Sequence, residues 1–170
     1  NKEVWPNGLT SIISDIHDKG MEFGLWFEGE MVNQDSDLYR AHPDWVLNTG
    51  GHSENNWRHE LVLDLTNAAA FSHVLAQVSA VLTEFPIDYI KWDHNRVVVD
   101  ASHNLQAAVR NQTLAIYRLF LELKKRHPKL EIESCASGGG RVDLGVIDYV
   151  DRFWVSDNND ALERQRNQRW

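Results

Sequence analysis

Residues 88–96, DYIKWDHNR, decide how the rest of the chain is read. An aromatic and apolar run leads there straight into Lys91, Trp92, Asp93, His94, Asn95 and Arg96. A strand end needs only a turn and a helix start only a cap, so this density of charged and hydrogen-bonding groups around a tryptophan points to a ligand. Lys91 and Asp93 are two residues apart and share one side of a regular strand, where the lysine's charge favours an ionised carboxylate. The plainer alternative makes Asp93 a turn residue and Lys91 its surface ion pair. The crowding of Trp92, Asn95 and Arg96 into the same bend weighs against it.

Working outward, apolar runs alternate with helical patterns. Leu9, Ile12, Ile13 and Ile16 recur at helical spacing until Gly20, and MEFGLWFEGEM then reads as a buried strand that turns acidic at its end. Residues 32–58, rich in Asp, Asn, Gly, His and Trp without a period, read as a long loop carrying function. ELVLDLTN is a second apolar run. Thr66 or Asn67 caps a helix over residues 68–85, and Pro86 ends it. A strand over 87–92, a helix over 105–127 and a strand over 130–135 follow. GGGR then makes a turn, a short helix lies around 142–147, YVDRFWVSD is a last strand, and NDALERQRNQRW opens a helix.

Strands that are apolar along their whole length, separated by helices, predict an α/β fold with parallel strands under a helical layer. Each of four strands ends in chemistry: Glu28 and Glu30, then Lys91, Asp93 and Asn95, then Cys135 and the glycines, then Ser156, Asp157 and Asn158. In parallel α/β folds, above all the (β/α)8 barrel, the carboxyl ends of the strands form one face, so these residues meet there.

Asp93 and Asp157 are the candidate catalytic pair. Around one pocket, one carboxylate attacks a sugar carbon while the other, protonated, gives its proton to the leaving oxygen. SDNND also reads as a helix cap, with Ser156, Asp157, Asn158 or Asn159 closing the first turn and Asp160 taking a capping or solvent role, while the preceding FWV offers a buried aromatic platform that suits a sugar. Glu28 and Glu30 belong either to a solvated loop or to the pocket's frame. Trp26 is either core or a stacking face, and Arg58 either reaches hydroxyls or braces a loop. Trp92, an aromatic surface beside Asn95, joins them as a substrate-binding candidate. Cys135 reads as a small polarizable wall residue, because no histidine near it in sequence would activate a thiol.

Composition excludes several classes. A net charge of −8 repels nucleic acid, while seven tryptophans exceed the needs of a 170-residue core and leave a neutral, hydroxyl-rich ligand open. No apolar run is long enough for a membrane span. One cysteine makes no internal disulfide, fits a cytoplasmic setting, and with eight histidines in no metal-binding spacing leaves no metal site or cofactor expected. SCASGGGR lacks both the P-loop and the dinucleotide glycine spacing. The start without methionine and the abrupt end predict a segment of a longer chain.

The stretches GLWFEGEMVNQDSDLYRAHPDW, LVLDLTN, IDYIKWDHNR, IESCASGGGRVDLG and WVSDNNDALERQRNQRW resemble, in order, the successive motifs of the microbial α-galactosidases of glycoside hydrolase family 36. The resemblance spans nearly the whole chain. It implies a retaining hydrolase with a (β/α)8 barrel that releases terminal α-linked galactose from melibiose- and raffinose-type sugars. It places Asp93 at the nucleophile and Asp157 at the acid/base, with Lys91, Asn95, Arg58, Cys135 and Trp26 at the galactose site.

By the same resemblance, residues 1–170 are about the third to sixth barrel strands. The flanking β-domains and remaining strands lie elsewhere, the parent is expected to be a cytoplasmic homo-oligomer, and the isolated segment is expected to be inactive. A galactosyl transferase, an α-N-acetylgalactosaminidase or a non-catalytic carbohydrate-binding fragment would share these motifs. Three positions depart from the family pattern: Gly29 and Gln34 replace prolines, and His94 replaces a methionine. Strand alternation turns His94 away from Asp93 into the barrel wall or helical layer, whereas a bend at the strand end would rotate it inward beside the nucleophile position.

Overall fold

The computed structural model describes residues 3–50 and 57–169, so His52 and residues 51–56 of the expected loop lie outside the described part. Helix α1 (Thr10–His17) buries Ile13 and ends in a turn where Gly20 takes φ 71°, a conformation glycine adopts without a Cβ penalty. Strand β1 (Gly24–Phe27) follows, and then β2 (Met31–Asn33). Ser36 caps the short helix α2 (Asp37–Ala41), its hydroxyl accepting from the Tyr39 N–H at 3.2 Å.

A 3₁₀ turn at Pro43–Trp45 leads to buried Val46 and Leu47, and β3 (Glu60–Val62) pairs antiparallel with β2. The stretch expected to be a long loop therefore holds a strand, a helix and core residues. Its elements are too short to show a period, and the β2–β3 partnership spans a sequence gap that no local pattern reports.

Asn67 caps α3 (Ala68–Glu84), accepting from the Ala69 N–H at 2.9 Å, and Phe85 before Pro86 is extended, as a residue preceding proline must be. One stripe of α3, including Phe71, Val74, Leu75, Val78 and Leu82, is buried. After β4 (Tyr89–Trp92), a two-residue hairpin of β5 (Ser102–His103) and β6 (Gln106–Ala107) turns through Asn104 and Leu105, both at positive φ. The hairpin displaces the expected start of the long helix, so α4 runs Val109–Arg126 and packs against α3. Next come β7 (Glu131–Ser134), a 3₁₀ turn at Val146–Asp148 in place of the expected short helix, the two-residue β8 (Arg152–Phe153) and α5 (Ala161–Asn167).

The four strands β1, β4, β7 and β8 form one parallel sheet in that order, with Phe27, Trp92 and Ser134 in register. Uniformly parallel pairing holds for this sheet and not for β3. Ile90, Trp92 and Ile132 turn to the helical side, where they join Leu119, Phe120 and Leu123 of α4 in one core. Strand β1, expected to run buried over residues 21–31, spans only Gly24–Phe27, and within the described residues Trp26 is 53% exposed.

Candidate active site

Backbone pairing continues one residue past each strand. The Asp93 N–H donates to the Phe27 carbonyl at 2.8 Å, Cys135 to Trp92 at 2.8 Å, and Trp154 to Ser134 at 3.0 Å. The register therefore brings Glu28, Asp93, Cys135 and Trp154 to one carboxyl edge, although they are far apart in sequence. Period-two alternation sorts the side chains: Trp26, Lys91, Glu133 and Asp93 go to one side, and Trp92 to the other.

Asp93 is 6% exposed and surrounded by donors. Its Oδ2 accepts from the Trp26 indole at 3.1 Å and from Asn95 Nδ2 at 2.6 Å, and its Oδ1 accepts from the His94 N–H at 2.8 Å. Burial pushes its carboxyl up, but the Cys135 thiol, Asn95, Trp26 and the His94 N–H outweigh burial and hold it below the ordinary carboxylate range. The thiol is the other half of that bond: burial, then the hydrogen bond to Asp93, raises Cys135 to about 11. It stays protonated and donates, which makes it a wall and not a nucleophile. Asn95 is fixed from three sides, its N–H donating to Glu28 Oε1 at 3.1 Å and its Oδ1 accepting from Ser137 Oγ at 3.3 Å.

Lys91 does not pair with Asp93 directly. Its Nζ lies 4.0 Å above the Trp154 ring and 4.0 Å from Glu133 Oε1. The Trp154 indole in turn donates to Asp157 Oδ1 at 2.6 Å, and Asp157 is exposed. Asp160 caps α5 through bonds of 3.0 Å from Leu162 and Glu163, which leaves the Asp157 carboxylate free of the capping role that SDNND allowed. The aromatic platform beside it is partly buried, not fully buried.

Arg58 is half-exposed, takes a positive φ, and lies 3.6 Å from Glu28 Oε1, so it braces the carboxylate that holds Asn95 while its head faces solvent. Glu28 and Glu30 are not a solvated loop: their side chains are 8% and 2% exposed. Trp92 corrects an expectation. It is 0% exposed, meets Phe120 edge-on at 5.8 Å and donates to Glu30 Oε1 at 2.9 Å, so it is core and cannot touch a ligand.

His94 turns away from the Asp93 carboxylate, with Nδ1 3.5 Å from Glu30 Oε2. Neither ring nitrogen has a hydrogen-bond partner among the described residues, so the approach to Glu30 is a long electrostatic contact and not a hydrogen bond. Beside this edge, a cavity of about 580 Å³ opens between residues 94–98, the start of α4 and the 136–143 turn. The turn needs its glycines: a Cβ on Gly140 would meet the Ala136 carbonyl at 2.4 Å. Glu133 and Trp154 were not singled out in the sequence. Alternation along EIES and the FWV platform were the available signals.

A parallel strand-and-helix arc that gathers carboxylates, a lysine and tryptophans at its carboxyl edge has the layout of part of an α/β barrel. The chain belongs to the melibiase family, whose model matches residues 1–170. An α-galactosidase from Escherichia coli is 48% identical over 169 residues, which are 99% of this chain and 24% of that protein. The structure of the GH36 α-galactosidase AgaB from Geobacillus stearothermophilus superposes with a TM-score of 0.92 at 38% identity, covering 99% of this chain and 24% of that one. A variant of AgaA from the same organism, in complex with raffinose, matches with a TM-score of 0.89 at 38% identity over 96% of this chain and 24% of its own. The fold is thus a partial α/β barrel, and the chain spans about a quarter of the length of the relatives it matches.

Proposed function

We propose that the protein carrying this segment is a retaining glycoside hydrolase releasing terminal α-linked galactose from melibiose- and raffinose-type oligosaccharides. The observation that carries this reading is Asp93, held ionised by four donors at the end of a parallel strand in a melibiase-family chain. An ionised carboxylate with its lone pairs ordered by Trp26 and Asn95 is suited to attack an anomeric carbon. Asp157, exposed and oriented by the Trp154 indole, is suited to protonate the departing oxygen and then to take a proton from the water that completes the second displacement.

Lys91 places its charge over Trp154, between the two carboxylate-bearing strand ends, and Trp26 presents an exposed ring next to Asp93 for the sugar's apolar face. The solution setting is the cytoplasm, where a lone thiol such as Cys135 remains reduced. Among the described residues no helix is long and apolar enough to cross a membrane.

Turnover tests the reading. The full-length protein is expected to release galactose from raffinose and melibiose, and to cleave an aryl α-galactoside faster than the matched α-N-acetylgalactosaminide. A protein inert toward all the galactosides, or one preferring the N-acetylated sugar, would contradict it.

A further inference from the structure

Behind Asp93, on the helical side of the sheet, Glu30 is 1% exposed and gathers side chains from two other strand ends. Its Oε1 accepts from the Trp92 indole at 2.9 Å and from Arg141 Nη2 at 2.6 Å, while its Oε2 lies 3.5 Å from His94 Nδ1. Trp92 and His94 are the residues immediately before and after Asp93. Alternation sends both to the rear while Asp93 faces the front, so a carboxylate that bonds Trp92 and lies against His94 touches the backbone's flanks on each side of Asp93.

Arg141 supplies a second route. It ends the glycine turn that carries Ser137; Ser137 donates to Asn95, and Asn95 donates to Asp93. We propose that Glu30 is a positioning residue for the reaction, setting the aim of Asp93 through Trp92 and His94 on the backbone and through Arg141 and the glycine turn on the side chain. This rests on the hydrolase reading above and adds to it a residue that never touches the sugar.

The surroundings support the assignment. Burial opposes charge on Glu30, yet Arg141, His94 and Trp92 together hold it down to about 2, so it stays ionised and accepts from Trp92 and Arg141 across the working range. Trp92 is itself immobilised by Phe120 and by the close approach of Gly29, where a Cβ would meet the indole at 2.6 Å. The grip therefore transmits position: a shift of the carboxylate is passed to Asp93 instead of being absorbed by a loose side chain.

The test uses the full-length protein, with kcat and KM on raffinose and binding of 1-deoxygalactonojirimycin measured for Glu30→Gln and Trp92→Phe. Glu30→Gln keeps the shape and removes the charge that faces Arg141; Trp92→Phe removes the indole donor together with part of the buried ring that packs near Phe120. Misplacing a reacting group by about 1 Å costs on the order of 10²-fold, so Glu30→Gln is expected to lower kcat by about that factor, with KM and inhibitor binding changed less than about threefold. Trp92→Phe is expected to lower kcat by about tenfold with the same split.

Unchanged kcat in a folded Glu30→Gln protein would overturn the inference, as would a loss shared equally by kcat and inhibitor binding. If Glu30→Gln fails to fold, Trp92→Phe decides alone: an unaltered kcat overturns the proposal and a selective loss supports it. An unmodified protein inert toward raffinose would overturn the hydrolase reading and this inference together, whereas an active one with insensitive variants would overturn only the inference.

Discussion

Replacing Asp93 with asparagine in the full-length protein is expected to lower kcat on raffinose by on the order of 10⁴-fold or more, the scale seen when a covalent nucleophile is removed. The substitution preserves volume and hydrogen-bonding length, so the Trp26 and Asn95 side chains that now converge on Oδ2 remain in place. What disappears is the negative charge. Binding of 1-deoxygalactonojirimycin should survive within about tenfold, because the walls around the ring are untouched. In an Asp93→Gly variant, which vacates the face Asp93 occupies, added azide should restore part of the rate and yield β-galactosyl azide. A loss of less than about tenfold would place the nucleophile elsewhere.

The second large effect is on stability. Arg141→Met removes the guanidinium 2.6 Å from Glu30 and leaves a carboxylate 2% exposed without its main counter-charge. Removing one partner of a buried pair costs about 3–5 kcal/mol, and the unfolding transition of the catalytic domain should fall accordingly. The pH dependence follows from the direction of the Glu30 shift. Its folded value of about 2 lies below the ordinary glutamate value of about 4.3. The stabilisation is therefore complete above roughly pH 4.3 and is lost as pH falls through about 2. The deficit of the variant should be full at neutral pH and narrow below about pH 4. A deficit that stays constant into acid would show that packing, and not the charge pair, holds the turn.

Much of the fold is legible in the sequence. Apolar runs with chemistry at their ends located all four parallel strands, because strand alternation and helix periodicity are local signals. Asn67, Pro86 and Asp160 marked helix ends for the same reason: each acts on the backbone within three or four residues. The β2–β3 pair and the β5–β6 hairpin escaped notice. The first depends on partners separated by a long excursion, and the second places Leu105 at a positive φ that leucine rarely takes.

At the candidate site, the same alternation that put Lys91 on the Asp93 side of the sheet and turned His94 away also turns Trp92 into the core, while the Lys91 head lies over Trp154 and not against Asp93. Reading Trp92 as a sugar platform set that rule aside because tryptophan suits sugars. Glu30 could be seen to be near the site, but not its role. A carboxylate three residues past a strand is usually solvated, and only the folded sheet reveals that Arg141, more than a hundred positions later, closes on it.

The central claim, that Asp93 and Asp157 cleave α-galactosides by two successive displacements, is tested most directly by the configuration of the first galactose released. Proton NMR of raffinose hydrolysis by the full-length protein, followed faster than mutarotation, should show α-galactose appearing first, with the β-anomer growing in afterwards. β-Galactose as the initial product would mean a single inversion and would contradict the account.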